Sequence, residues 1–494
     1  MIGHPADAQR EPAAAEIAYL SAEEALEQFR SGALSPVELV EAVLDRAQAV
    51  TETVNPFTAL YPEDALAAAR DAEARYTAGT GRPLEGLPVA IKELTPVAGR
   101  QHTLGALALE DNVATESAIL VERVLEAGGI IHARTTTPEC GCASFTESRL
   151  YGLTRNPWNL SFSPSGSSGG AAASLAVGAT TLASGTDSAG SLRLPAAACG
   201  VVGFKPSVGR VPTRIPLGLE LCGHDGPMAR TVGDAALFLD VIAGPHPDAP
   251  QALPTAPPVG SEPGRVEGAR LALATRIEGL DVDRDVEANL RAAAAALGDA
   301  GAELEEVELD WTYDGIIEAT RYHFAAHYGP MVQRVVDLAP ERATGYATAF
   351  AREEAKYAAE AGFVLRAREL TAALWAPLSR VLQQHEALLL PTLAMPGTPA
   401  GEQYADSGPI VNGREQPDRW IVGTTVPINL CCWCPAMSVP SGFAENGVPT
   451  GVQIVGRPYA DAGVFRVARA LERVRPWLEG PDRRPQLTPH WEEP

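Results

Sequence analysis

The sequence predicts a layered α/β protein, and three observations predict it. Ala118 to Pro138 reads as a helix (AILVERVLEAGG), a strand (IIHART) and a turn. Apolar strand-like runs return late in the chain at ALLLPTLA, AMSVPSGF and GVQIVGRP. Cap signals and helical spacing open the chain. The 494 residues, 46% apolar and 20% charged, have an ordinary globular balance with enough material for a large core. Length alone allows one large domain or several of roughly 100–200 residues.

The first residues form an N-terminal extension, 1–20. Ser21 with Glu24 and Ser35 with Glu38 fit the capping box, and Pro36 stands where a first-turn proline is tolerated. Val37, Val40, Leu44, Ala47 and Val50 then recur at helical spacing. After Gly86, Leu87 to Ile91 is a short buried strand ending at Lys92. Gly244 to Gly268 carries seven prolines, a surface connection. Beyond it ARLALATRI reads as a strand, VEANLRAAAAALGDAG as a helix and ELEEVELD as a strand. Residues 310–385 are mostly helical and suit an added cap or lid. A last helix covers Val464 to Val474, and 479–494 is a tail.

With 39 Lys+Arg against 62 Asp+Glu the net charge is −23, which repels nucleic acid and anionic membrane. Cys140, Cys142, Cys199, Cys222, Cys431, Cys432 and Cys434 make an odd, scattered set that suits reduced thiols in the cytoplasm. The first residues lack the cationic start and apolar run of a secretory signal. No stretch reaches the roughly 18 apolar residues a spanning helix needs.

Three segments carry chemistry. Lys92, ending an apolar strand, is either a snorkelling residue or a functional amine. Ser163-Pro164-Ser165-Gly166-Ser167-Ser168-Gly169-Gly170 precedes an Ala-rich helix. It is a flexible loop, a phosphate cradle or a hydroxyl-bearing turn, although the nucleotide-loop Lys-Ser/Thr ending is missing. In Gly185 to Pro195, small residues ahead of Ser191 can aim successive N–H groups into one anion-binding concavity. The same run also reads as a tight turn held by an Asp187–Arg193 ion pair. The two are compatible.

Taken together these residues resemble the amidase signature family. Lys92 and Ser167 are 75 positions apart, Ser167 and Ser191 are 24 apart, and both spacings agree with its pattern. The similarity continues through CGVVGFKPSVGRVP, GPMARTVGDAAL and VPINL, and spans about Ser21 to Val474. The resemblance implies one large domain, 21–478, with its signature core at about 86–240. Its fold would be a mixed, twisted sheet of about eleven strands surrounded by helices. It further implies a Ser–cisSer–Lys triad: Lys92 the base, Ser167 the bridging serine and Ser191 the acylated nucleophile. Backbone N–H groups of Ser188, Ala189, Gly190 and Ser191 would hold the oxyanion. No metal or organic cofactor is implied, the partner is a small amide, and a homodimer is left open.

Departures from the family are of two kinds, small-for-small changes before the serines and larger ones where substrate preference is set. Ser165-Gly166 and Ala189-Gly190 replace Gly-Gly pairs, Leu221-Cys222-Gly223 replaces Ser-x-Asp, and Cys431-Cys432-Trp433-Cys434 replaces Thr-Gly. Lys-Glu-Leu-Thr and Arg-Asn-Pro-Trp-Asn resemble the branch of 6-aminohexanoate-cyclic-dimer hydrolases and aryl acylamidases. The expected substrate contacts are Leu94, Tyr151, Ser165, Gly166, Cys432 and Trp433, which favour neutral, apolar amides. The alternative is the glutamine-hydrolysing component of a tRNA-dependent amidotransferase, and a silent binding relative is disfavoured because all three triad residues are present. His323 and His327, four apart on a helix, lack a third ligand in the sequence and read as a structural pair. A zinc site at Cys431–Cys434 would need Cys140 and Cys142 beside it.

Overall fold

Ser21 and Ser35 each close the capping box that the sequence predicts. The Ser21 N–H donates to Glu24 Oε2 at 2.9 Å and the Ser35 N–H to Glu38 Oε2 at 2.8 Å. They start α1 (Ala22–Ser31) and α2 (Pro36–Val54). In this computed structural model residues 16–403, 408–416, 424–477 and 484–487 are described; most of the expected extension and tail lies outside them. The following elements are β1 (Phe57–Leu60), α3 (Pro62–Thr77), β2 (Pro88–Lys92), α4 (Ile119–Glu126) and β3 (Ile130–Thr135). Next come α5 (Gly169–Ala176), β4 (Leu182–Asp187), α6 (Arg193–Cys199), β5 (Val202–Lys205), β6 (His224–Ala229) and α7 (Val232–Ile242).

Past the proline-rich connection stand β7 (Arg270–Leu273), α8 (Arg284–Asp299) and β8 (Glu303–Glu306). The stretch expected to be helical holds α9 (Tyr313–Ala326), α10 (Tyr328–Leu338), α11 (Gly345–Ala358) and α12 (Phe363–Gln384). The chain returns through β9 (Ala387–Pro391), α13 (Val426–Leu430), β10 (Ala436–Phe443), β11 (Pro449–Gly456) and α14 (Asp461–Val474).

Eleven strands form one mixed sheet in the order β1-β3-β2-β4-β6-β5-β10-β11-β9-β7-β8, the architecture the resemblance implies. β2 runs parallel to both β3 and β4, with Val89 opposite Leu182. β4 to β6, β5 to β10 and β10 to β11 are antiparallel. Val89 and Ile91 are fully buried, as are Val121, Phe238 and Leu239 of the helices on that side. Each such side chain contributes about 1.5–3 kcal/mol of burial. On the opposite face Ala90, Ala183 and the alanines of α5 pack together; small side chains there let the α5 backbone approach the sheet. Because β2 and β4 are parallel neighbours, their carboxyl ends open at the same edge, where such sheets present ligand sites. That edge carries Lys92 and the loop after Asp187. Among the described residues no helix is long and apolar enough to cross a membrane.

Candidate active site

All five residues of β2 are buried, so the stem of Lys92 has no route to water. The side chain is 0% exposed and does not snorkel. Its Nζ lies 2.8 Å from each of three hydroxyls, Ser167 Oγ, Ser168 Oγ and Thr186 Oγ1. Burial pushes the amine down to about 7, against the pull of the Asp187 and Asp225 carboxylates. Arg134 of β3 clamps this strand end by donating to the carbonyls of Glu93 at 2.8 Å and Thr95 at 2.7 Å. Ser168 and Thr186 lie in the two small-residue segments without a role assigned to them there, and nothing in the sequence pattern pointed to Arg134.

The serine loop is shaped by its backbone. The Gly166–Ser167 peptide bond is cis. A Cβ on Gly166 would fall 2.5 Å from the Phe145 carbonyl oxygen, so only glycine fits. Ser165, where the family pattern has glycine, adopts φ of 63°, a left-handed conformation that costs a side-chain-bearing residue roughly 1–2 kcal/mol. Its hydroxyl donates to the Ser144 carbonyl at 3.0 Å. Ser165 therefore shapes the loop and does not line the cleft.

The loop between β4 and α6 is organised by one buried carboxylate. Asp187 accepts from the Gly190 N–H (2.6 Å), the Leu192 N–H (3.2 Å) and Asn429 Nδ2 (2.8 Å). It also accepts from Arg193 Nε (2.9 Å) and Nη2 (3.0 Å). Burial would raise this carboxyl, but the Arg193 charge and the hydrogen bonds hold it well below the usual carboxylate range. The tight turn held by the Asp187–Arg193 ion pair is therefore present. One expectation is corrected: the Gly190 N–H is spent on Asp187 and is not an open oxyanion donor. Gly190 instead makes room, since at φ of 116° a Cβ would meet Thr425 Oγ1 at 2.0 Å. Among the described residues, the N–H groups of Ser188, Ala189 and Ser191 have no acceptor.

Ser167 and Ser191 line one cleft of about 550 Å³, its open mouth included, together with Gly166, Ser188 and Ala189. Its further walls are apolar or small and include Cys142, Leu194, Phe324, Tyr328 and Val426. No charged side chain and no imidazole is in that lining, so it offers no set of metal ligands. Gly166 lines the cleft as expected. Leu94 stands just behind the wall, 2.7 Å from where a Cβ on Gly141 would sit.

The remaining expected contacts are corrected. Tyr151 turns away, its hydroxyl 3.0 Å from Thr103 Oγ1. Cys432 is buried and its carbonyl accepts from the Val208 N–H at 3.0 Å. Trp433 packs edge-on against Trp375 with centroids 5.3 Å apart. The short helix α13 brings Val426 to the cleft and carries the cysteine run past it into the core. Cys140 and Cys142 belong to a different cluster from Cys431–Cys434.

Comparison with known proteins gives the family. The profile described as Amidase matches residues 38–465. An acylamidase of Rhodococcus erythropolis is 36% identical over 488 residues, covering 93% of this chain and 96% of that protein. The glutamyl-tRNA(Gln) amidotransferase A-subunit protein of Chloroflexus aggregans is 34% identical over 508 residues, covering 96% and 99%. Among solved structures, a bacterial aryl acylamidase of the amidase signature family superposes with a TM-score of 0.85 at 27% identity, covering 93% and 97%. A 6-aminohexanoate cyclic dimer hydrolase reaches 0.83 at 28% identity, covering 95% and 99%. With its family profile matched over most of its length, this chain belongs to the amidase signature family of amide-cleaving hydrolases.

Proposed function

We propose that this protein hydrolyses small, mainly apolar carboxylic amides through an acyl-enzyme on Ser191. The observation that carries the reading is the buried amine of Lys92, 2.8 Å from Ser167 Oγ, at the wall of a cleft that Ser191 shares. A neutral amine has two N–H donors and one lone pair. Ser168 and Thr186 take the two N–H groups, and Ser167 donates its O–H into the lone pair. Ser167 Oγ is then free to receive the proton of Ser191 as Ser191 Oγ attacks the carbonyl carbon. The N–H groups of Ser188, Ala189 and Ser191 face the developing oxyanion, each worth roughly 3 kcal/mol. Collapse of the tetrahedral intermediate breaks the C–N bond, and the relayed proton leaves with the amine. Water, deprotonated by the same relay, attacks the ester carbonyl and releases the acid and Ser191.

This chemistry needs Lys92 neutral, so protonation below about pH 7 removes the base. kcat/KM for a neutral amide is expected to rise tenfold per pH unit below about 7 and to level off above it. The profile is measured with a substrate that does not titrate between pH 5 and 9. A flat profile across that interval contradicts a lysine base.

The uncharged lining supports the choice of substrate. Glutamine would bring an ammonium and a carboxylate into a cleft wall with no charged partner among the described residues, which costs desolvation. Each buried methylene of an apolar amide gains about 0.8 kcal/mol. kcat/KM for hexanamide or an anilide is expected to exceed that for glutamine by at least about 100-fold. Leu194→Ala should lower the apolar value about tenfold, whereas Trp433→Phe should leave it unchanged. Glutamine as the better substrate would favour the glutamine-hydrolysing component of an amidotransferase. The seven buried free thiols support a reducing, cytoplasmic setting, and the −23 charge supports a small-molecule partner.

A further inference from the structure

We infer that Glu220, His323 and His327 form a zinc-binding site that clamps the 217–223 loop to α9 beside the cleft and takes no part in the chemistry. The sequence shows only the two histidines; the fold supplies the third ligand. One ligand atom from each residue lies within 4.8 Å of the others. The Glu220 carboxylate is oriented by its own loop, with Oε2 accepting from the Cys222 N–H (2.8 Å) and the Gly223 N–H (2.6 Å). Its Oε1 faces His323 Nε2 at 3.0 Å, so the carboxylate and that imidazole already meet at the proposed site. Cys222 Sγ lies 3.8 Å from His323 Nδ1, which leaves Nε2 as the ring nitrogen on the Glu220 side.

Zinc binds imidazole nitrogen and carboxylate oxygen at about 2.0–2.2 Å, so ligand atoms of a tetrahedral site stand roughly 3.4 Å apart. The Glu220–His323 pair is near that spacing already. The His327 ring, exposed and with its centroid 5.3 Å from that of His323, closes the remainder by rotating. Two imidazoles and one carboxylate leave a fourth position for water. The strongly acidic chain favours cation entry.

The place of the ion follows from its neighbours. A Cβ on Gly223 would sit 3.6 Å from Ser188 Oγ, and Phe324 and Tyr328, adjacent in sequence to the two histidines, line the cleft. None of the three ligands is in that lining, so the ion would join two walls of the site without touching Lys92, Ser167 or Ser191.

The test uses full-length protein stripped with a chelator and dialysed against ZnCl2, with zinc counted by elemental mass spectrometry. One ion per chain is expected, with a dissociation constant on the order of a micromolar or tighter and a thermal midpoint that rises on zinc addition. Glu220→Gln and His327→Ala should each weaken binding by about 100-fold or more and abolish the midpoint shift. Stripped wild-type protein should retain its amidase turnover. The inference is overturned if wild type binds no zinc, or if both variants bind it as wild type does. Turnover that vanishes on stripping and returns with zinc would overturn the non-catalytic assignment. Circular dichroism checks folding, and the isosteric Glu220→Gln keeps the test decisive if His327→Ala is unstable.

Discussion

Replacing Ser191 with alanine is expected to lower kcat on the order of a million-fold while leaving the fold and substrate binding in place. The side chain is half-buried at the cleft wall, while its carbonyl, which alanine keeps, accepts the Ser168 N–H at 3.2 Å. The variant therefore loses the attacking oxygen and little else. Lys92→Ala removes the proton acceptor but also empties a fully buried site, so its loss in kcat comes with a loss of stability. Ser167→Ala cuts the relay between them. Because the three act as one unit, the double variant Ser167→Ala/Ser191→Ala should be no slower than Ser191→Ala alone. Single-turnover kinetics with an apolar anilide read all of these. A Ser191→Ala protein within tenfold of wild type would contradict the assignment.

Arg193→Ala is expected to destabilise the protein by about 3–5 kcal/mol. Both members of the Asp187–Arg193 pair are 0% exposed, and removing the guanidinium leaves a buried carboxylate whose remaining direct donors, the Gly190 and Leu192 N–H groups and Asn429 Nδ2, are neutral. Arg193 also donates to Asn429 Oδ1 at 2.6 Å and to Gln453 Oε1, tying α6 to α13 and β11. The loop that presents Ser188 to Ser191 should loosen with it, so activity falls before the chain unfolds. The pH sign follows from the depressed carboxyl of Asp187. The stability it contributes is complete above the ordinary carboxylate range, at about pH 5, and is lost as pH falls toward its folded value. Urea unfolding at pH 7 and pH 4 measures both effects; a change under about 1 kcal/mol at pH 7 contradicts the role given to the pair.

Much of the fold was legible where periodicity and caps are strong, as in α1, α2, α4, β2 and β3. β4 (LASGTD) and β6 (HDGPMA) were not. Their small residues, glycine and proline are poor strand signals, and they form a ladder because tertiary contacts on both faces demand close approach. Lys92, Ser167 and Ser191 stood out because their spacing matches the family pattern, and the fold brings Lys92 Nζ within 2.8 Å of Ser167 Oγ and puts both serines on one cleft. The cleft lining did not, because Phe324, Tyr328 and Val426 reach it from elements far away in sequence. Trp433 misled for a related reason: a large aromatic side chain in a divergent segment suits a pocket and a core equally, and only the path after α13 decides. Gly190 looked like an oxyanion donor until Asp187 was seen to hold its N–H.

The central claim is that Ser191 carries the acyl group during turnover. Its most direct test is mass spectrometry of wild-type protein quenched in acid during steady-state cleavage of an activated hexanoyl ester or anilide. The account predicts a hexanoyl mass increment on the peptide containing Ser191, absent from Ser191→Ala and formed more slowly at pH 6 than at pH 8. An increment on another residue, or turnover without any increment in a Ser191→Ala protein, would contradict it.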